Sequence, residues 1–148
     1  MDEQRLNQLL KNVPRYQGSF ALDELKNVEI KTCPEYIVVN LENRNEPGNH
    51  WIALAIYQNR VFICDSLGGL LPDNKLPSAL INFLHTLLFS RKLFITKQLQ
   101  PLDSDKCGNY CVTFIKEMSR HHSFNSFMQL FTTNLRQNDQ IISFLQNQ

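Results

Sequence analysis

The chain has 148 residues, 43% hydrophobic and 20% charged, which suits one ordinary globular domain, residues 1–148, with its own core. Its 15 Lys+Arg against 14 Asp+Glu leave a net charge of +1, which argues against nucleic acid as the main partner. No apolar run approaches the ~18 residues of a membrane span, and the acidic start Met1-Asp2-Glu3-Gln4 is no secretory signal, so free thiols in a reducing compartment are expected.

Leu6, Leu9, Leu10 and Val13 recur at helical spacing, with Asp2 and Glu3 at the positive end and Pro14 as a stop. A short helix over 21–26 is expected after Gly18. Residues 36–41 (YIVVNL) read as a strand and 42–49 as a polar loop. Residues 50–57 and 60–66 read as two strands of a hairpin across Gln58-Asn59, and the Gly- and Pro-containing stretch 67–75 as a loop. An apolar helix starts near Pro77 and reaches Leu88. Residues 93–96 form a short strand and 100–106 a polar loop. Cys107, Tyr110, Cys111, Phe114, Ile115 and Met118 then follow helical spacing, with Ser104 or Asp105 as the cap. Two more helices follow, around 126–135 and 139–146, the last starting at Asn138-Asp139. This order describes an α+β domain with a small central sheet.

Cys107 stands apart from the other cysteines because it opens a helix. There the macrodipole and unpaired N–H groups favour thiolate, and Gly108 leaves room for a substrate backbone. Cys33, Cys64 and Cys111 read as core, and no cysteine spacing fits a zinc site, so no metal is expected. A thiolate nucleophile calls for an imidazole base. His121 and His122 lie 14 and 15 residues further along the same helix, roughly 21 Å away at 1.5 Å per residue. His85 sits inside an apolar helix. His50, at a loop-to-strand junction, remains.

The hairpin supplies a third group. With a symmetric turn at Gln58-Asn59, paired positions sum to 117, so His50 and Asp65 become same-face diagonal neighbours, ~7–8 Å apart at the backbone. A three-residue turn would put them on opposite faces. An oxyanion donor is also needed. The Cys107 N–H is one; Gln100 can supply a second, and by spacing alone Gln98 serves as well.

Together, Gly48-Asn49-His50-Trp51, Asp65-Ser66-Leu67-Gly68 and Gln100-x6-Cys107-Gly108-x-x-Cys111 resemble the adenovirus-type cysteine protease (adenain) family, including the proteases of Polinton-like and adintovirus elements. Gly18-Ser19-Phe20-x-x-Asp23-Glu24-Leu25 and the Asn138-Asp139 region are similar more loosely. The resemblance implies a papain-related fold, a small mixed sheet with the Cys107 helix packed on it. It implies Cys107 as nucleophile, His50 as base and acid, Asp65 as its orienting group, and Gln100 with the Cys107 N–H as oxyanion hole. Trp51 and Gly108 would line the substrate channel.

The activity implied is an endopeptidase that cuts viral or element-encoded capsid and core precursors at glycine-containing sites, in the virion and the host-cell nucleus or cytoplasm. The family suggests an activating viral peptide; no other cofactor is implied, and the near-neutral charge argues against activation by DNA. Two alternatives stand beside it. A protease specific for ubiquitin-like conjugates has the same His-Asp-Gln-Cys layout, usually with a shorter Gln-to-Cys step. A catalytically silent capsid-binding domain would not need all four positions filled.

Overall fold

Asp2 starts the chain's first helix. Its carboxylate accepts from the Arg5 N–H at 2.8 Å, and α1 (Glu3–Leu10) buries Leu6 and Leu10 completely. A computed structural model describes residues 1–44, 50–68 and 76–146. After α1 come β1 (Tyr16–Ala21), a 3₁₀ turn (Leu22–Asn27), β2 (Glu35–Asn40), β3 (Trp51–Ile56) and β4 (Arg60–Cys64). The second half holds α2 (Ser78–Leu88), β5 (Lys92–Ile95), α3 (Cys107–His121), α4 (Phe124–Met128) and α5 (Leu135–Gln146). The expected loops at 42–49 and 67–75, with Pro47-Gly48 and Pro72-Asp73, lie mostly outside the described residues.

The five strands form one mixed sheet in the order β1-β2-β3-β4-β5. The outer pairs are parallel, and β2–β3 and β3–β4 are antiparallel. The α+β expectation, with a small mixed sheet, is met. Both faces are covered, so the central strands are apolar on both. Tyr36, Val38, Ala53, Ala55 and Cys64 face α1 and α3; Ile37, Val39, Ile52, Leu54 and Ile63 face α2 and the 3₁₀ turn. Ala53 and Ala55 are the small residues on the α3 side and leave room for the helix to lie close over β3. This brings its first residue, Cys107, to the end of β3 that starts at Trp51.

Several boundaries differ from the sequence reading. The stretch before the 3₁₀ turn is a strand, β1, which was not expected: it is an edge strand, mostly half-exposed, and contains Gly18 at a φ of +131°, so it shows neither alternation nor β-branched content. The strands of the hairpin are shorter than 50–57 and 60–66. His50, Asp65 and Ser66 fall just beyond the ladder. Neither Ser104 nor Asp105 caps α3; Lys106 holds that position without a side-chain bond. α4 is short and capped by Ser123, whose Oγ accepts from the Ser126 N–H at 3.1 Å. α5 begins at Leu135, ahead of the Asn138-Asp139 pair, with Asn134 Oδ1 accepting from the Gln137 N–H at 3.1 Å.

Phe114 on α3 is fully buried, with its ring edge-on to Phe127 of α4, whereas Phe144 on α5 is 65% exposed. Phe114→Ala should cost about 3–5 kcal/mol in denaturant unfolding, and Phe144→Ala should stay within about 0.5 kcal/mol.

Candidate active site

The β3–β4 register pairs Ala53 with Cys64 and Leu54 with Ile63, the pairing expected for a turn at Gln58-Asn59. Extending it past the strand ends brings His50 beside Asp65. The His50 Nε2–H donates to Asp65 Oδ1 at 2.6 Å, the short distance of a charge-assisted bond. Asp65 is 1% exposed. Its backbone is fixed as well: its N–H donates to Thr96 Oγ1 at 3.0 Å, and the Thr96 hydroxyl donates back to its carbonyl at 3.1 Å. With Nε2 committed, Nδ1 is the ring nitrogen left for the thiol, and among the described residues it is spent on no hydrogen bond.

Cys107 is the first residue of α3 and is nearly buried. Burial pushes its pKa up, but the His50 ring beside it, the Trp51 N–H, the His50 charge and the Gly108 N–H outweigh burial and leave the thiol below its ordinary range. For His50, burial favours the neutral ring, yet the Asp65 bond and the charges of Asp65 and Cys107 hold its pKa up at about 9. The two groups therefore stabilise one another as thiolate and imidazolium. Cys64 and Cys111 are the opposite case, with burial pushing both thiols up. They belong to the core, as expected. Cys33 does not: it is part-exposed, with Arg91 Nη2 donating to its sulfur at 3.7 Å. His85, His121 and His122 are exposed.

The structure also separates the two glutamines. Gln100 is fully buried, and its Nε2 donates to the Ser104 carbonyl at 2.9 Å. Gln98 is part-exposed and spends its Nε2 on the Gln100 carbonyl at 3.0 Å. The Ser66 carbonyl accepts from both the Leu99 and Gln100 N–H groups, at 2.8 and 3.0 Å. Gly68 is required at this crossing. Its φ is +68°, and a Cβ there would lie 2.9 Å from the Gln98 nitrogen.

The sequence reading missed Asn138 as a support for this loop. It is fully buried, and its Nδ2 donates to the Leu99 and Thr132 carbonyls at 3.0 and 2.9 Å. Its Oδ1 accepts from the Thr132 N–H at 2.8 Å. The resemblance at Asn138-Asp139 was the signal that pointed there, without a role.

Trp51 is 7% exposed and packs with the core on the α3 side. It also borders a cavity of about 330 Å³ that Ala21, Asn40 and Arg44 help to line. Arg44 is held there between Glu3 and Glu24, at 2.6 and 2.5 Å. Gly108 differs from expectation. Where its side chain would point, Met1 Cβ lies at 3.3 Å and Leu6 Cδ1 at 3.7 Å, so this space is filled by α1 and its approach rather than held open for a substrate backbone. Gly48 and Asn49 lie outside the described residues. Among the described residues, no helix is long and apolar enough to cross a membrane.

Comparison with known proteins bears on the family and the fold. Residues 22–147 match the family described as Ulp1 protease family, C-terminal catalytic domain. No curated protein matches the chain. The central domain of the Legionella pneumophila protein Lpg1148 has a similar fold, with a TM-score of 0.59 and 12% identity over 99% of this chain and 94% of that one. The ASFV pS273R protease gives a TM-score of 0.59 and 14% identity, over 95% of this chain and 63% of its own length. ChlaDub1 from Chlamydia trachomatis gives 0.51 and 13%, over 98% and 76%.

A lowered thiol pKa leaves thiolate present below the ordinary thiol range, so brief alkylation near pH 6 should label Cys107 ahead of Cys33, Cys64 and Cys111 in mass mapping. The reactive pair is lost as pH rises and His50 gives up its proton, so kcat/KM for cleavage should fall above about pH 9. Asp65→Asn removes an upward influence on His50 and should move this alkaline limb down by about one pH unit or more.

Proposed function

The chain belongs to the Ulp1 protease family, a family of cysteine proteases, and on that footing we propose that it releases ubiquitin-like modifiers by cutting the bond that follows their terminal glycine. The observation that carries this reading is the family match over residues 22–147, a span that contains His50, Asp65, Gln100 and Cys107. The Cys107 thiolate attacks the scissile carbonyl while the Cys107 N–H and Gln100 Nε2 stabilise the oxyanion. His50, as imidazolium, protonates the leaving amine and the acyl-enzyme remains. His50 then activates a water that releases the product, and Asp65 holds the ring in place throughout. On this reading Trp51 narrows the approach to the nucleophile and leaves little room for a side chain just before the scissile bond. Overpacking there costs ~1–3 kcal/mol, roughly ten- to a hundredfold in selectivity, and favours glycine.

A second reading has an observation of its own. The seven-residue step from Gln100 to Cys107, together with His50-Trp51 and Cys107-Gly108, follows the adenovirus-type pattern. It favours an endopeptidase of capsid or core precursors, with an activating peptide as a partner. The chemistry is the same in both; the recognised body of the substrate differs. Remote binding energy is spent on kcat/KM, so a deconjugating enzyme should cleave a folded ubiquitin-like conjugate far better than an isolated glycine-containing peptide, and Cys107→Ala should abolish both reactions. Efficient cleavage of extended precursor peptides with no gain from the folded body would select the second reading. Efficient cleavage after bulky residues would overturn the glycine preference in either.

A further inference from the structure

Ser66 follows Asp65 directly and is 1% exposed. Its hydroxyl is 2.5 Å from Gln100 Oε1. The polarity of this contact is fixed by the other end of the amide. The Ser104 carbonyl can only accept, so the Gln100 group 2.9 Å away must be Nε2. Oε1 then faces Ser66, and the hydroxyl must donate.

We infer that Ser66 is a positioning residue for the oxyanion hole: its hydroxyl locks the Gln100 amide so that one Nε2 hydrogen goes to Ser104 and the second is presented to the oxyanion. The inference rests on the cysteine protease chemistry proposed above. Two physical effects act in the same direction. A buried amide held at both ends cannot swing about its last torsion, which keeps the donor preorganised. A hydrogen bond accepted at Oε1 also polarises the amide and strengthens its N–H donors, as in any hydrogen-bonded chain in a low-dielectric site. The Ser66 carbonyl adds to the hold by accepting from the Leu99 and Gln100 N–H groups. The Asp65-Ser66 dipeptide thus serves both halves of the chemistry: its carboxylate fixes His50, and its hydroxyl fixes Gln100.

The test compares Ser66→Thr with Ser66→Val, which share a shape and differ by the hydroxyl, each with Gln100 intact and with Gln100→Ala. Turnover is read on a glycine-ended peptidyl-aminocoumarin, and Cys107 alkylation near pH 7 is read in parallel. With Gln100 present, the Val enzyme should show about tenfold lower kcat than the Thr enzyme at similar KM. With Gln100→Ala, the two should agree within about twofold, because the hydroxyl acts only through the amide. Alkylation should be equal in all four, since it depends on His50 and not on Gln100. Equal kcat for Thr and Val with Gln100 present would overturn the proposal. So would the same ratio in both backgrounds, or slower alkylation in the Val enzyme, which would put Ser66 on the Cys–His side. A wild-type enzyme that is alkylated normally but releases coumarin neither from this peptide nor from a folded ubiquitin-like modifier carrying the same aminocoumarin would instead overturn the protease reading itself, and this inference with it.

Discussion

The buried bond between His50 and Asp65 is the interaction on which the rest of the site depends. A carboxylate with 1% exposure carries a large desolvation cost unless it is paired. Here it has a 2.6 Å bond from Nε2 and a backbone clasped twice by Thr96. Committing Nε2 to the carboxylate has a chemical consequence: Nδ1 becomes the nitrogen that serves the thiol, and the ring is held in one orientation. The charge of Asp65 also raises the proton affinity of His50, and the imidazolium in turn favours the Cys107 thiolate.

Two pieces of ordinary packing bring the partners to this bond. The hairpin register sets His50 beside Asp65, and the small Ala53 and Ala55 let α3 lie over β3 so that Cys107 meets the Trp51 N–H. The Gln100 side is built separately, from a loop with no regular structure. It is tied down by the Ser66 carbonyl, by Asn138 from α5, and by Gly68, whose left-handed backbone lets the two loop segments cross. Loops carry function where a rigid scaffold positions them, and here the scaffold is a sheet covered on both faces.

Much of this could be read from residues, for identifiable reasons. Hairpin pairing is a matter of parity, so Gln58-Asn59 and two β-rich runs were enough to put His50 and Asp65 on one face. Helical spacing put Cys107 at the start of α3. Long-range satisfaction of polar groups leaves no such periodicity. That Asn138 supports Leu99, that Gln100 rather than Gln98 is the buried amide, and that Met1 fills the space beside Gly108 are all properties of distant segments meeting. β1 escaped for a related reason, as an edge strand whose pairing with β2 comes from tertiary context. The residues of the site resemble the adenovirus-type pattern while the family match is to the Ulp1 proteases. The His, acid, Gln, Cys layout is common to both, so the chemistry is legible and the choice of substrate is carried by surfaces further out.

The central claim is that His50 is held as imidazolium by Asp65 and the Cys107 thiolate. The most direct measurement is an NMR titration of the His50 ring in the wild-type protein and in Cys107→Ala. In the wild type the ring should titrate near pH 9, and the midpoint should fall when the thiolate is removed. A wild-type midpoint near the ordinary histidine value of about 6.5, unmoved by Cys107→Ala, would contradict the account.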